Sequence, residues 1–213
     1  MSASIPGLKA VIFDFGGVLC HFPPPSKTEA LAAAAGAPHD EFLRAFWGHR
    51  IPYDAGHLTA LAYWEKIAAQ LGKSYSEEQV GEFLRHDIGF WSNFDIPMLA
   101  WVDAVRRAGF KTGLLSNLPP DLGEHLRALP GFLDRFDHVT YSYEIGSVKP
   151  QAEIYKYSLA GLGVTGPEAL FLDDRPENVA GAEALDIHAI QWVSREKSAK
   201  ELPRELPPLE APR

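Results

Sequence analysis

The chain has 213 residues, of which 46% are hydrophobic and 23% charged, a globular composition with room for one substantial domain or a core carrying an insert. With 20 basic and 28 acidic residues the formal net charge is -8, which disfavours nonspecific attraction to nucleic acid or anionic lipid and means that a site for an anion must be locally positive. Cys20 is the only cysteine, which excludes an intramolecular disulfide and a four-cysteine zinc site and suits a reducing cytoplasm.

The stretch from Met1 to Cys20 holds an apolar run, interrupted by Asp14, with no basic leader and no small-residue cleavage site. No run reaches the ~20 apolar residues of a membrane-spanning helix. The expectation is a cytoplasmic protein with no membrane and no nucleic-acid partner. Within this stretch Ala10–Phe13 reads as the first buried strand.

From about Pro23 to Asn93 the pattern is helical, with no convincing strand. Ser26 with Glu29, and Ser76 with Gln79, fit capping boxes, and Leu58, Leu61, Ala68 and Leu71 form an apolar stripe at helical spacing. This segment is expected to be a helical cap over residues 23–93, inserted into a core made of 1–22 and 94–213. Within it, Trp47-Gly48-His49-Arg50-Ile51-Pro52-Tyr53-Asp54 mixes aromatic and cationic groups as a substrate-facing loop does, and singles out Arg50 and Tyr53 for leaving-group recognition. Surface exposure of Arg50 and core packing of Trp47 are the bland alternatives.

Beyond the insert, strands alternate with amphipathic helices. Strands are predicted at Thr112–Leu115, His138–Ser142, Ala169–Leu172 and His188–Trp192. Leu99, Val102 and Val105 share a helix face before Gly109; Tyr155, Leu159 and Leu162 do so before Gly163; Val179, Ala182 and Leu185 follow Pro176. This alternation predicts an α/β fold, a Rossmann-like doubly wound parallel sheet with the helical cap inserted. The tail from Leu202 is rich in proline (Pro203, Pro207, Pro208, Pro212) and is expected to pack loosely as an extended segment.

Four polar islands punctuate this pattern: Asp14 after the first strand, Ser116-Asn117 after the second, Lys149-Pro150 before the Tyr155 helix, and Asp173-Asp174 after the fourth strand. In open α/β sheets ligands bind beyond the carboxyl ends of the strands, where three of the islands fall. A carboxylate such as Asp14 can attack phosphorus and split one hard hydrolysis into two easier steps. Attack of one anion on another needs neutralisation, and Mg²⁺, which takes oxygen ligands from one or two carboxylates with water and phosphate, suits Asp14 and the Asp173/Asp174 pair. Lys149 adds a cation, Ser116 a hydroxyl for the equatorial oxygens, and Gly16 and Gly17 let the backbone come close to phosphate. Taken singly, each island has an ordinary reading: a helix cap, a turn, a solvated lysine, acids that complement a helix dipole.

The motifs Phe13-Asp14-Phe15-Gly16-Gly17-Val18-Leu19, Leu115-Ser116-Asn117, Val148-Lys149-Pro150 and Leu172-Asp173-Asp174 through Asn178 resemble those of the haloacid dehalogenase superfamily, from about Leu8 to Trp192. The run from Tyr141 to Pro150, continuing to Glu153-Ile154-Tyr155, is similar to bacterial α-D-glucose-1-phosphate phosphatases and to the phosphatase domain of soluble epoxide hydrolases. The resemblance implies Mg²⁺-dependent phosphoryl transfer to Asp14 from a small phosphorylated metabolite, glucose 1-phosphate being one candidate. It also implies that Asp174 is the direct metal ligand of its pair, that the Gly16 carbonyl is a further ligand, and that Asp173 and Asn178 act through water or by orienting the ligands. Most phosphatases of the superfamily carry a second aspartate two residues after the nucleophile as general acid and base; here that position is Gly16, and His21 is a conceivable surrogate. The competing readings are a 2-haloacid dehalogenase and a non-catalytic phosphate-binding protein.

Overall fold

The computed structural model describes residues 4–209; Pro212 of the tail lies outside them. Five strands, β1 (Ala10–Phe13), β2 (Lys111–Ser116), β3 (His138–Tyr141), β4 (Ala169–Asp173) and β5 (His188–Gln191), form one parallel sheet in the order β3-β2-β1-β4-β5. The predicted strands are all there. β3 stops one residue short of the expectation because Ser142 already begins a helix, and β5 stops at Gln191. Strand β1 lies at the centre, every residue of it buried, between β2 and β4. A parallel sheet packed on both faces needs such continuous apolar runs, and Ala-Val-Ile-Phe supplies one.

Six helices lie between β1 and β2 in the chain, and the first five are packed together: α1 (Pro25–Ala34), α2 (His39–Gly48), α3 (Arg50–Asp54), α4 (Ala60–Leu71) and α5 (Glu77–Phe90). They share an aromatic interior in which Phe42, Phe46, Tyr63, Trp64, Phe83 and Phe90 are buried against one another. Two sequence expectations need correcting here. Helix α1 starts from Pro24 with Pro25 as its first residue, so Ser26 is already inside it and makes no capping bond; two prolines pre-set the first turn without needing a side-chain cap. In α4 the buried face is Tyr63, Trp64, Ile67 and Ala68, while Leu61 is exposed. Large aromatic rings bury more apolar area than the leucines and set the helix's rotation. The Ser76–Gln79 capping box is present at the start of α5.

The remaining helices are α6 (Ile96–Arg107), α7 (Pro120–Ala128), α8 (Ser142–Ile145), α9 (Ala152–Leu162), α10 (Pro176–Glu183) and α11 (Arg195–Ser198). Leu99, Val102 and Val105 of α6, and Tyr155, Leu159 and Leu162 of α9, are buried as expected. Gly163 caps α9 at φ 63°, a left-handed conformation that glycine adopts without a Cβ penalty. On α10 the buried positions are Asn178 and Ala182. The tail is not loose: Leu202, Pro203 and Leu206 are buried, and Trp101 of α6 donates its indole N–H to the Pro207 carbonyl at 2.9 Å. No helix among the described residues is long and apolar enough to cross a membrane.

Candidate active site

The polar islands converge at the carboxyl ends of β1, β2 and β4. The strands are in register, with Phe13 opposite both Leu114 and Leu172, so the residues that follow them emerge side by side. Asp14, Gly16, Ser116, Asn117, Lys149, Asp174 and Asn178 line one cavity of about 630 Å³. Gly17 sits at its edge with φ 74°. A Cβ there would lie 2.9 Å from Asp174 Cγ and 3.0 Å from the Phe22 ring, so both the backbone turn and the close approach require glycine.

Lys149 organises the floor. Its ammonium, with the side chain only 1% exposed, lies 2.8 Å from Asp14 Oδ1, 2.6 Å from Asp173 Oδ2 and 3.0 Å from the Leu115 carbonyl. Asp173 and the Leu115 carbonyl each take an N–H donor, and Asp14 is in ion-pair contact, so the lysine, expected beside the phosphoryl group, is anchored by protein oxygens. The Phe15 backbone N–H also donates to Asp14 Oδ1, at 2.7 Å. Both donors thus converge on the same oxygen, leaving Oδ2 outside those bonds. Asn117 is committed as well: its side chain brackets the Lys149 backbone, donating to the carbonyl at 3.0 Å and accepting from the N–H at 2.8 Å. Its amide therefore holds the lysine loop, and the residue lines the cavity as well.

The two acids after β4 differ in placement. Asp173 is fully buried. Its Oδ1 accepts from the Arg175 N–H and the Asn178 amide, and its Oδ2 from Lys149 and, at longer range, Asn178. Asp174 lines the cavity. Carboxylate oxygens of Asp14, Asp173 and Asp174 all lie within 4.8 Å of one another. One ammonium balances three acids, and the excess charge shows in their proton affinity. Burial, aided by Asp173 and Asp174 and opposed by Lys149, pushes Asp14 up to about 8, while burial and Asp173 push Asp174 up to about 6. Asp173 goes the other way, because contact with Lys149 and hydrogen bonds from Arg175 and Asn178 outweigh its burial. Two under-compensated carboxylates at the floor of a cleft fit a hard, oxygen-seeking divalent cation. Asp14 and Asp174 face the cavity and are the residues able to hold it; Asp173 has its oxygens already engaged.

The inserted helices form the far wall. Arg50 is buried rather than exposed: its Nε donates to Asp54 Oδ1 and its Nη1 to Asp87 Oδ2, each at 2.7 Å, and it lines the cavity with Asp54. Trp47, by contrast, is not core: it is 44% exposed and stands at the cavity. Tyr53 does not reach the cavity. It is completely buried, stacks on Tyr63 with ring centroids 4.3 Å apart, and donates its hydroxyl to Asp121 on α7. An aromatic ring beside another aromatic face is more stable buried than at a wet mouth. His21 is also off the site: its ring is solvent-facing beside Asp95, 3.7 Å away, and is not among the residues lining the cavity.

Several lining residues escaped the sequence reading: Phe22, Ile51, Asp54, Trp91 and Arg175. Asp54 and Ile51 stood within the aromatic–cationic run and Arg175 within the last motif, but nothing in their spacing marked them. Phe22 and Trp91 stand at the two ends of the insert, and only folding brings Phe22 to Gly17 and Trp91 to Gly16. There Trp91 fills the space beside the glycine: a Cβ on Gly16 would lie 3.0 Å from Trp91 Cζ3.

The haloacid dehalogenase-like hydrolase family profile matches residues 8–186. A sesquiterpene phosphatase of Aspergillus oryzae is 25% identical over 91% of this chain and 94% of its own length. A D-ribitol-5-phosphate phosphatase of Bacteroides thetaiotaomicron is 23% identical over 86% of this chain and 91% of its own. Among solved structures, a haloacid dehalogenase-family enzyme of Bacteroides thetaiotaomicron, in complex with magnesium and inorganic phosphate, superposes with a TM-score of 0.70 at 23% identity, covering 86% of this chain and 93% of that one.

Proposed function

The chain belongs to the haloacid dehalogenase-like hydrolases and is a hydrolase of phosphatase type, and we propose that it cleaves small phosphate monoesters through an aspartyl-phosphate on Asp14. The observation that carries this reading is the Lys149 ammonium held between Asp14 and Asp173, with Asp174 alongside, at the floor of the cavity. Lys149 and the Phe15 N–H fix Asp14 Oδ1, so the carboxylate is oriented before substrate arrives and Oδ2 is the attacking atom. Asp173 sets the position of Lys149, and Asn178 sets that of Asp173. Ser116 and the Gly16 backbone N–H bind the equatorial phosphoryl oxygens, the Gly17 N–H being donated to the Cys20 carbonyl.

Asp14, Asp174 and the Gly16 carbonyl are the proposed ligands of Mg²⁺, which when bound neutralises the charge of the nucleophile and the phosphoryl group. The helices over residues 23–93 act as a cap that closes the leaving-group side and excludes water, with Arg50 supporting its wall through Asp54 and Asp87. The retained Asp173-Asp174 pair supports phosphoryl chemistry over dehalogenation of a 2-haloacid, a reaction for which this superfamily needs no divalent cation.

A sugar phosphate such as glucose 1-phosphate is the narrower possibility raised by the run from Tyr141 to Pro150, and the similarity to a ribitol-phosphate phosphatase supports a polyol leaving group. The similarity to a sesquiterpene phosphatase supports an apolar one. The deciding test of the general reading is phosphate release from a panel of monoesters with Mg²⁺ or with EDTA. Release that needs Mg²⁺ and vanishes in Asp14→Asn supports it. Absence of turnover, with phosphate still bound, would mean a non-catalytic binding protein.

A further inference from the structure

We propose that the leaving group this site is built for is the aryl group of a phosphate monoester, seated against an apolar wall made by Phe22, Trp47, Ile51 and Trp91. The inference rests on the phosphatase reading and specifies its substrate class.

Two independent features lead to it. The first is where the exposed apolar surface lies. Buried apolar side chains need no explanation and scattered exposed ones are ordinary, but clustered large exposed ones mark a binding surface. Phe22 is 56% exposed, Trp47 44% and Ile51 69%, and all three line the cavity that holds Asp14. Trp91 joins them, its ring packed edge-on to Phe22 with centroids 6.1 Å apart. They come from the loop after β1, from α2 and α3, and from the end of α5, so only the tertiary fold assembles the wall. Of the charged groups beside it, Arg50 is tied to Asp54 and Asp87, and Arg175 to Glu177, so each would meet a sugar hydroxyl only in competition with its own ion pair. A polyol would leave its hydroxyls facing rings, and unpaired polar groups in a desolvated pocket are costly.

The second feature is the missing acid. Gly16 carries no carboxylate, and Trp91 occupies the ground a side chain there would use. An alkoxide leaves poorly without a proton, so alkyl esters depend on general acid help worth about 10²–10⁴-fold. A phenol is acidic enough to leave as its anion. The sequence is then Asp14 Oδ2 forming a bond to phosphorus while the phosphorus–oxygen bond to the aryl group breaks, its electron pair staying on the phenolate oxygen. The phenolate takes a proton from solvent. Water then attacks the aspartyl-phosphate, releases phosphate, returns Asp14 to its carboxylate and gives its proton to solvent. The same indole that displaces the acid thus supplies the wall for a leaving group that does not need one.

The experiment uses the full chain with Mg²⁺ and two readouts, because aryl esters are intrinsically the more reactive. Inhibition constants are measured for 2-naphthylmethylphosphonate and methylphosphonate, which cannot turn over and so report the wall alone. Turnover is measured for 2-naphthyl phosphate, cyclohexyl phosphate and glucose 1-phosphate. The naphthyl phosphonate should bind at least about tenfold more tightly than methylphosphonate, as expected for a well-filled apolar pocket. 2-Naphthyl phosphate should be the preferred substrate. Trp47→Ser and Ile51→Ser, both at exposed positions, should erase most of the phosphonate difference and raise KM for the naphthyl ester more than they lower kcat. Equal phosphonate affinities, or preference for glucose 1-phosphate, would overturn the inference and leave the phosphatase reading standing. Failure of every ester to turn over would overturn both.

Discussion

The Tyr53 hydroxyl, on α3, donates to the Asp121 carboxylate at the start of α7, and so joins the inserted helices to the core beside the cavity. A second tie lies next to it, where Ser142 Oγ donates to the Asp54 carbonyl, and Gly56 comes so close to Tyr143 that a Cβ there would be 2.7 Å from its carbonyl oxygen. The wall that carries Trp47, Arg50 and Ile51 is therefore held in place by its own short helix. Tyr53→Phe keeps the ring stack on Tyr63 but leaves Asp121 without its donor. We expect a loss of about 1.5–3 kcal/mol in stability, the order of a hydrogen bond to a charged group. KM should rise more than kcat falls. Denaturant midpoints and steady-state kinetics check both.

On the proposed mechanism Asp14→Asn removes the attacking charge with little change in shape. Turnover should fall by ~10³-fold or more, as when a catalytic nucleophile is lost. The fold should not suffer, because burial and neighbouring acids make the Asp14 charge unfavourable in the absence of metal. The metal-free variant is expected to melt no lower than the parent in EDTA, by calorimetry.

The two acids after β4 should separate by readout. Asp174→Asn should weaken Mg²⁺ binding, measured by titration calorimetry, with partial recovery of activity at high Mg²⁺. Asp173→Asn leaves the buried Lys149 with one carboxylate partner fewer, and removing one partner of a buried pair costs about 3–5 kcal/mol. Its main signature should be lost stability.

The pH dependence of the metal-free protein has a definite sign. Asp14 and Asp174 are pushed up to about 8 and about 6, so the folded state keeps protons that the unfolded chain, with Asp near ~3.9, has released. Stability must therefore fall as pH rises from about 4 through these raised values, and level off above them. Asp173, shifted down, acts oppositely, losing its contribution only as pH falls below the ordinary carboxylate range. A bound divalent cation favours the ionised carboxylates, so Mg²⁺ affinity should rise over the same interval. Urea midpoints against pH, with EDTA and with Mg²⁺, check it; a metal-free curve that rises across this window contradicts the charge balance described.

Gly16→Asp tests the contact with Trp91. The added side chain meets the indole at 3.0 Å from its first atom, so the single variant should lose activity through a displaced ring. Gly16→Asp with Trp91→Leu should regain turnover of alkyl phosphates relative to aryl ones. A plot of kcat/KM against leaving-group pKa, steep in the parent and flatter in the double variant, is the measurement.

The sequence by itself determined the sheet and the order of the elements that carry the candidate site, because continuous apolar runs between helical periodicities leave a parallel α/β arrangement as the way to bury them. Asp14, Ser116 and Asp174 were legible for the same reason: polar residues that end such runs must emerge at one edge of the sheet, whereas Lys149, in the loop before α9, was legible only in company with them. What lay beyond local pattern was decided by packing. Tyr53 and Trp47 are both aromatic residues on short helices, yet Tyr63 and Asp121 take one inward while the other stays at the cavity mouth. Arg50 is buried because Asp87, 37 positions away, meets it. His21, close to Asp14 in the chain, turns outward to Asp95, whereas Trp91, 75 residues after Gly16, comes to lie against it. Spacing along a strand or helix fixes which face a residue shares with its neighbours; which distant group completes its environment is set only when the chain closes on itself.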